Sequence, residues 1–224
     1  MNAAEQAKFI RDSIPAGGLF AGLEWQISPA PFPLGEKLAQ EIDSLGRVLL
    51  QFYRATNLLY RKSVEGKQPE WVARWLDLGK PAELIALQRS PAFKNDVPRV
   101  IRPDILLTEN GFAITELDSV PGGIGLTAWL NQTYSNAASG EPPAKILGGA
   151  AGMLRGFESI FGDAPQIQVV VSEEAATYRP EMEWLAGQLG SSKFKIQNLK
   201  ALPPATPFIV FLNCSICPMW PTRK

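Results

Sequence analysis

Apolar residues recur at helical spacing from Leu34 to about Glu65, where Leu38, Ile42, Leu45, Leu49, Phe52 and Tyr53 form one stripe. The pattern predicts a long helix with one buried face. Trp71 to Leu76 and Ala82 to Gln88 each follow a proline suited to a first helical turn, and predict two shorter helices. Trp71 and Trp75 lie four apart and are expected in the core. Residues 1–33 read as an irregular arm after a short helix, anchored by Phe20, Trp25 and Phe32. Farther on, "PPAKILGGAAGMLRGFESIF" reads as a helix despite its glycines. "QIQVVVSEE", "EMEWLAGQLG" and "KFKIQNL" then follow as strand, helix and strand, with the spacing of a βαβ crossover and hence a parallel pair.

Between these helical and βαβ regions, in "IRPDILLTENGFAITELDSVPGGIGLT", apolar β-formers flank Asn110-Gly111, a hairpin signal. Two registers are open. A two-residue Asn110-Gly111 turn sets Ile105 against Glu116 and scatters the charges. A three-residue Glu109-Asn110-Gly111 loop, with Gly111 left-handed in a bulge, sets Asp104 opposite Glu116 and Arg102 opposite Asp118. In that register all four project from one face. Asp104 against Glu116 then costs some tenths of a kcal/mol unless a cation sits between them. Oxygen ligands of this kind suit magnesium or manganese. The following "SVPGGIGLTAWLNQTY" passes from a glycine loop into a helix beginning near Gly125. Its backbone amides either hold an anion or form a plain strand-to-helix turn.

Composition narrows the chemistry. The chain has 224 residues, 46% hydrophobic and 20% charged, with 22 basic and 22 acidic side chains. That is an ordinary globular balance, with no basic stripe for nucleic acid. Histidine is absent, which excludes Ser-His-Asp triads, His-ligated zinc and imidazole bases. No Walker-type loop occurs, and "AGGLFAG" and "LGGAAG" lack the strand-to-helix context of a dinucleotide fingerprint. Arg61-Lys62 reads as a solvated helix face. No run is long and apolar enough to span a bilayer, and Glu5, Arg11 and Asp12 interrupt any signal sequence, so a cytoplasmic protein is expected. Both cysteines, Cys214 and Cys217, form a C-x-x-C that makes a poor zinc site alone.

The pattern Arg102-x-Asp104 then Glu116-x-Asp118, split by a hairpin and followed by a Gly/Pro loop, resembles the magnesium-binding motif of circularly permuted ATP-grasp ligases of the glutathionylspermidine synthetase type. The resemblance implies carboxylate activation by ATP to an acyl phosphate, then attack by an amine. Asp104, Glu116 and Asp118 would be metal ligands and Arg102 the catalytic cation on the transferring phosphoryl group. Ser119, Gly122 and Gly123 would lie near the γ-phosphate or the substrate carboxylate. Asp118 departs from the family's asparagine, which adds a charge and changes the metal demand. The cofactors implied are Mg2+ or Mn2+ and ATP. The partners implied are small-molecule or peptide carboxylate and amine substrates, with no nucleic acid and no membrane.

The family's adenine-binding lysines follow this motif at a distance for which the chain has no room, so the resemblance implies a truncated N-terminal part with little activity alone. Residues 208–224, "FIVFLNCSICPMWPTRK", continue neither as sheet nor as helix. Back-translation into a frame displaced by about two nucleotides gives a more protein-like continuation, and a frameshift near Pro207 is expected on that ground.

The fold expected is α/β, ATP-grasp-like and incomplete. Residues 1–33 form an arm, 34–162 a helical region with the metal-binding hairpin and glycine loop, 163–207 a partial βαβ substrate-side domain, and 208–224 a frameshifted tail. The alternatives are a non-catalytic binding module whose hairpin charges form a structural network, and a divalent-metal hydrolase.

Overall fold

The computed structural model describes residues 2–17, 19, 26–137, 145–173, 175–190, 192–197 and two short strands at 209–210 and 220–221. The fold is mixed α/β, with seven α-helices and small two-stranded sheets among the described residues.

Helix α1 (Ala3–Asp12) starts in a capping box, in which the Asn2 side chain accepts from the Glu5 amide and the Glu5 carboxylate accepts from the Asn2 amide, both at 2.9 Å. Helix α2 (Glu36–Val64) is followed by α3 (Glu70–Asp77) and α4 (Ala82–Arg89), which begin after Pro69 and Pro81 as their prolines predict. At the α2–α3 turn the buried Ser63 donates to the Pro69 carbonyl at 2.6 Å and accepts from the Ala73 amide at 3.0 Å. Arg61 is not a solvated charge. Its Nη2 donates to the carbonyls of Gln88 and Phe93, both at 3.0 Å, and closes the end of α4. Tyr60 donates to Asp77 at 2.7 Å, and Gln88 donates to both, so a polar network ties the three helices together.

In the predicted α2 stripe Leu49 is buried and Leu38, Ile42, Leu45 and Tyr53 are half-buried, whereas Phe52 is 52% exposed. Two other expectations fail. Trp71 and Trp75 are 58% and 64% exposed, because Val72 and Ala73 are the residues α3 turns inward. In the arm, Phe32 is 71% exposed and anchors nothing, while Phe20 and Trp25 lie outside the described residues.

The hairpin β1 (Arg102–Thr108) and β2 (Gly111–Asp118) runs along α2, from a Tyr53–Ser119 hydroxyl contact of 3.0 Å to the tip at Gly111, where a Cβ would come within 4.0 Å of Glu41. Helix α5 (Ile124–Ala137) leaves the glycine loop. The predicted helix before residue 160 is shorter than expected: Gly148 and Gly149 take φ of +76° and +75°, and α6 begins only at Gly152 (Gly152–Ser159). The βαβ unit is present as β3 (Ile167–Val170), α7 (Arg179–Leu189) and β4 (Phe194–Gln197), with β3 and β4 parallel and Ile167 opposite Phe194.

The main core lies between α5, α6, α7 and this parallel pair, built on Ala128, Phe157, Phe161, Ile167, Leu185 and Phe194. Phe161 stands edge-on to both Phe157 and Phe194, with ring centroids 5.1 and 5.3 Å apart. Strand β3 is buried on both faces, as a helix-covered parallel pair requires, and this burial includes the polar Gln168. A second cluster seats Ile10 of α1 and Leu19 against Trp129 of α5. Strands β5 (Ile209–Val210) and β6 (Trp220–Pro221) pair antiparallel; Cys214, Cys217 and most of the tail lie outside the described residues. Among the described residues no helix is long and apolar enough to cross a membrane.

Candidate functional site

The charged end of the hairpin has the clustered register. Arg102 lies opposite Asp118 and Asp104 opposite Glu116, and by the two-residue period all four belong to one face. The route to that register is neither of the two turns weighed from sequence. The tip loop is Glu109-Asn110, with Thr108 opposite Gly111, and the strands change register between Asp104 and Ile105 through an extra residue at Thr115. A bulge there moves the base of the hairpin by one position and leaves the tip unmoved.

These four side chains have different surroundings. Asp104 and Glu116 are exposed cross-strand neighbours, and Thr115 donates to the Asp104 carbonyl at 3.3 Å. Asp118 is engaged on both oxygens: Oδ2 accepts from Arg102 Nη1 at 3.1 Å, and Oδ1 accepts from the amides of Ser119 at 2.6 Å and Val120 at 3.1 Å. Arg102 Nη1 also reaches the Val120 carbonyl at 3.5 Å. Asp118 therefore orients the arginine and folds the loop after β2. The Arg102–Asp118 pair is about one-third exposed at each side chain, so it contributes at most about 1 kcal/mol. Among the described residues no group of three or more acidic, histidine or cysteine side chains is gathered closely enough to hold a metal ion.

The glycine loop meets α7. Pro121 and Gly122 are buried, and a Cβ on Gly122 would stand 2.8 Å from the Tyr178 ring. Gly123, at φ +86°, turns the chain into α5. Its amide donates to Glu181 Oε1 at 2.7 Å, and the Leu126 amide reaches Oε2 at 3.4 Å. Glu181 has no exposed surface. Gly125 permits this approach, since a Cβ there would lie 2.5 Å from Glu181 Cγ. The first-turn amides of α5, where a helix attracts an anion, thus hold a carboxylate from within the chain. Burial pushes the Glu181 carboxyl up to about 7, although the amides of Gly123, Leu126 and Gly125, and the charge of Arg102, pull in the opposite direction.

No family model, curated protein or solved structure matches this chain.

A cleft of about 460 Å³ opens beside this loop, between the start of β1, the first turns of α5 and the glycine-bearing face of α6. Arg102 and Gly123 belong to its wall. Ser119 is held at the hairpin base by Tyr53. The structure thus joins Arg102, Asp118, Ser119, Gly122 and Gly123 into one connected loop, with Asp104 and Glu116 one step along the strands.

Sequence reasoning missed Glu181. A signal was available: Glu181 stands four before the buried Leu185 and beside the buried Met182, so the inward face of α7 carries an acid. Its partner, the Gly123 amide, lies 58 residues earlier, and no local pattern connects them.

Proposed function

We propose that this chain serves as part of an ATP- and magnesium-dependent carboxylate–amine ligase of the circularly permuted ATP-grasp kind. The observation that supports it is the hairpin register, which gathers Arg102, Asp104, Glu116 and Asp118 on one face. In the proposed reaction a substrate carboxylate oxygen takes the γ-phosphoryl group of ATP, giving an acyl phosphate and ADP. An amine then attacks the acyl carbon, phosphate leaves and an amide bond forms. Such chemistry needs charge neutralisation and positioning, which an arginine and hard cations supply without histidine.

The donor set suits magnesium. It is held by one or two carboxylates together with water and phosphate oxygens, and Asp104 and Glu116 provide two exposed carboxylates on neighbouring strands. Bound there, the ion would neutralise phosphate charge. Asp118 would hold the guanidinium of Arg102 in place for the transferring phosphoryl group.

Calorimetric titration with Mn2+, with and without a non-hydrolysable ATP analogue, tests this reading. Saturable binding that the Asp104→Asn, Glu116→Gln double variant loses is expected; equal affinity in the two proteins would overturn it. A second reading, a non-catalytic module with a structural ion network, is favoured by one observation: Asp118 and the α5 amides already have partners inside the chain. Under that reading the wild type binds no Mn2+ at all.

A further inference from the structure

We infer that the cleft beside Arg102 binds a small amphiphilic anion, a carboxylate or phosphate head on a short apolar body. The size fits: about 460 Å³ lies within the range of small-molecule pockets. The charge fits as well. Two arginines, Arg99 and Arg102, line the cleft, and among the described residues no acidic side chain does. Arg99 is set in place by its Nη1, which donates to the Ile160 carbonyl at 2.7 Å. Arg102 spends Nη1 on Asp118 and Val120 and keeps Nη2 near Gly123, where a Cβ would stand 3.9 Å from it. Each guanidinium is thus oriented by one nitrogen and has others to offer, the arrangement that favours anion recognition by arginine.

The rest of the wall divides by polarity. Thr127 donates to the Gly123 carbonyl, whereas the half-buried Asn131 side chain has no hydrogen-bond partner among the described residues and can bond a ligand oxygen. Leu147, Met153 and Phe157 supply apolar surface. Gly152 and Gly156 fall four apart on α6 and both line the cleft. A Cβ at either would meet no atom within 4 Å, so packing does not demand glycine there. Glycine at Gly156 weakens the helix interior relative to alanine, and the visible effect of the two glycines is to keep this wall bare.

The inference does not rest on the ligase reading, and its test contains neither metal nor nucleotide, so the two can fail separately. The full chain is titrated calorimetrically with 4-phenylbutyrate, phenyl phosphate and the neutral 4-phenylbutyramide. Saturable binding of at least one anion, about tenfold tighter than the amide, is expected, and which anion binds identifies the head group. Gly156→Leu fills the cleft and should weaken anion binding by at least about fivefold with an unchanged circular dichroism spectrum. Should that variant not fold, Arg99→Gln carries the test, by weakening the anions at least about fivefold and leaving the amide unaffected. Binding of the amide as tight as that of the anions, no saturable binding of either anion, or Gly156→Leu with wild-type affinity would overturn the inference.

Discussion

Replacing Glu181 by glutamine should change how stability depends on pH, and the size of the change follows from the structure. In the folded chain this fully buried carboxyl holds its proton up to about pH 7, against an ordinary value of 4.5. Between those pH values the folded state binds more protons at this site than the unfolded state, so stability falls as pH rises through the window. The contribution is fully present below pH 4.5 and is gone above about pH 7. At about 1.36 kcal/mol per tenfold difference in proton affinity, the full swing is on the order of 3 kcal/mol. Burial drives the shift, and the charged or polar groups facing the carboxyl that oppose it are the Gly123, Leu126 and Gly125 amides and the Arg102 guanidinium. Glutamine cannot titrate. Its carbonyl can take the Gly123 bond, while its amide faces the Leu126 N–H donor to donor, a pH-independent loss of about 1 kcal/mol. Urea unfolding of wild type and Glu181→Gln at several pH values between 4.5 and 8 isolates the term, because all other titrating groups cancel in the difference. The wild type should lose on the order of 3 kcal/mol relative to the variant across the range. Parallel curves would show that Glu181 does not titrate there and would refute the reasoning.

Gly125→Ala should destabilise by about 2–4 kcal/mol in urea unfolding, since the added methyl would stand 2.8 Å from the Glu181 carbonyl oxygen, which is backbone and cannot swing away. Ser63→Ala should cost about 1–3 kcal/mol, because it removes the acceptor for the buried Ala73 amide and the donor to Pro69; a shift below about 0.5 kcal/mol would show that water replaces the hydroxyl. Two titrations complete the set. Mn2+ binding should vanish in Asp104→Asn, Glu116→Gln, and binding of phenylbutyrate or phenyl phosphate should weaken in Gly156→Leu.

The clustered face of the hairpin was legible because a strand alternates sides with a period of two, so one correct cross-strand pair at the base fixes the others. The tip was not legible. A bulge at Thr115 is compatible with almost any residue, and its one-position shift mimics the three-residue loop read from Asn110-Gly111. The βαβ unit was readable from its strand–helix–strand order and the crossover-length gap between the two strands. The inward face of α2 was readable except at Phe52, and that of α3 was not, because apolar residues show which side could be buried and not whether anything covers it. The exposed Phe52, and Trp71 and Trp75 on α3, are that difference in practice. Glu181 illustrates the opposite failure: a charged residue on a helix reads as solvated, and its spacing to Leu185 points inward without showing that the approach allowed by Gly125 encloses it.

That enclosure also bears on how the site would handle phosphate. A glycine loop entering a helix invites an anion, and sequence alone leaves open whether the anion comes from a ligand. Here it comes from α7, and the Gly123 amide cannot serve Glu181 and a nucleotide together. A phosphate bound at the loop would leave a fully buried carboxyl without its shortest hydrogen bond, a cost of about 1–3 kcal/mol that the incoming contacts must first offset. Protonation of Glu181 lowers that barrier by removing its charge, so any anion that competes for these amides should bind more tightly as pH falls below about 7. An anion held by Arg99 and Arg102 alone should not gain in this way, because it does not compete with Glu181 for the loop amides. The pH dependence of phenyl phosphate affinity therefore separates the two places an anion could occupy. A rise toward acid that Glu181→Gln abolishes marks the loop amides, and a profile without such a rise, falling as the phosphate takes up its own second proton near about pH 6, marks the arginines of the cleft.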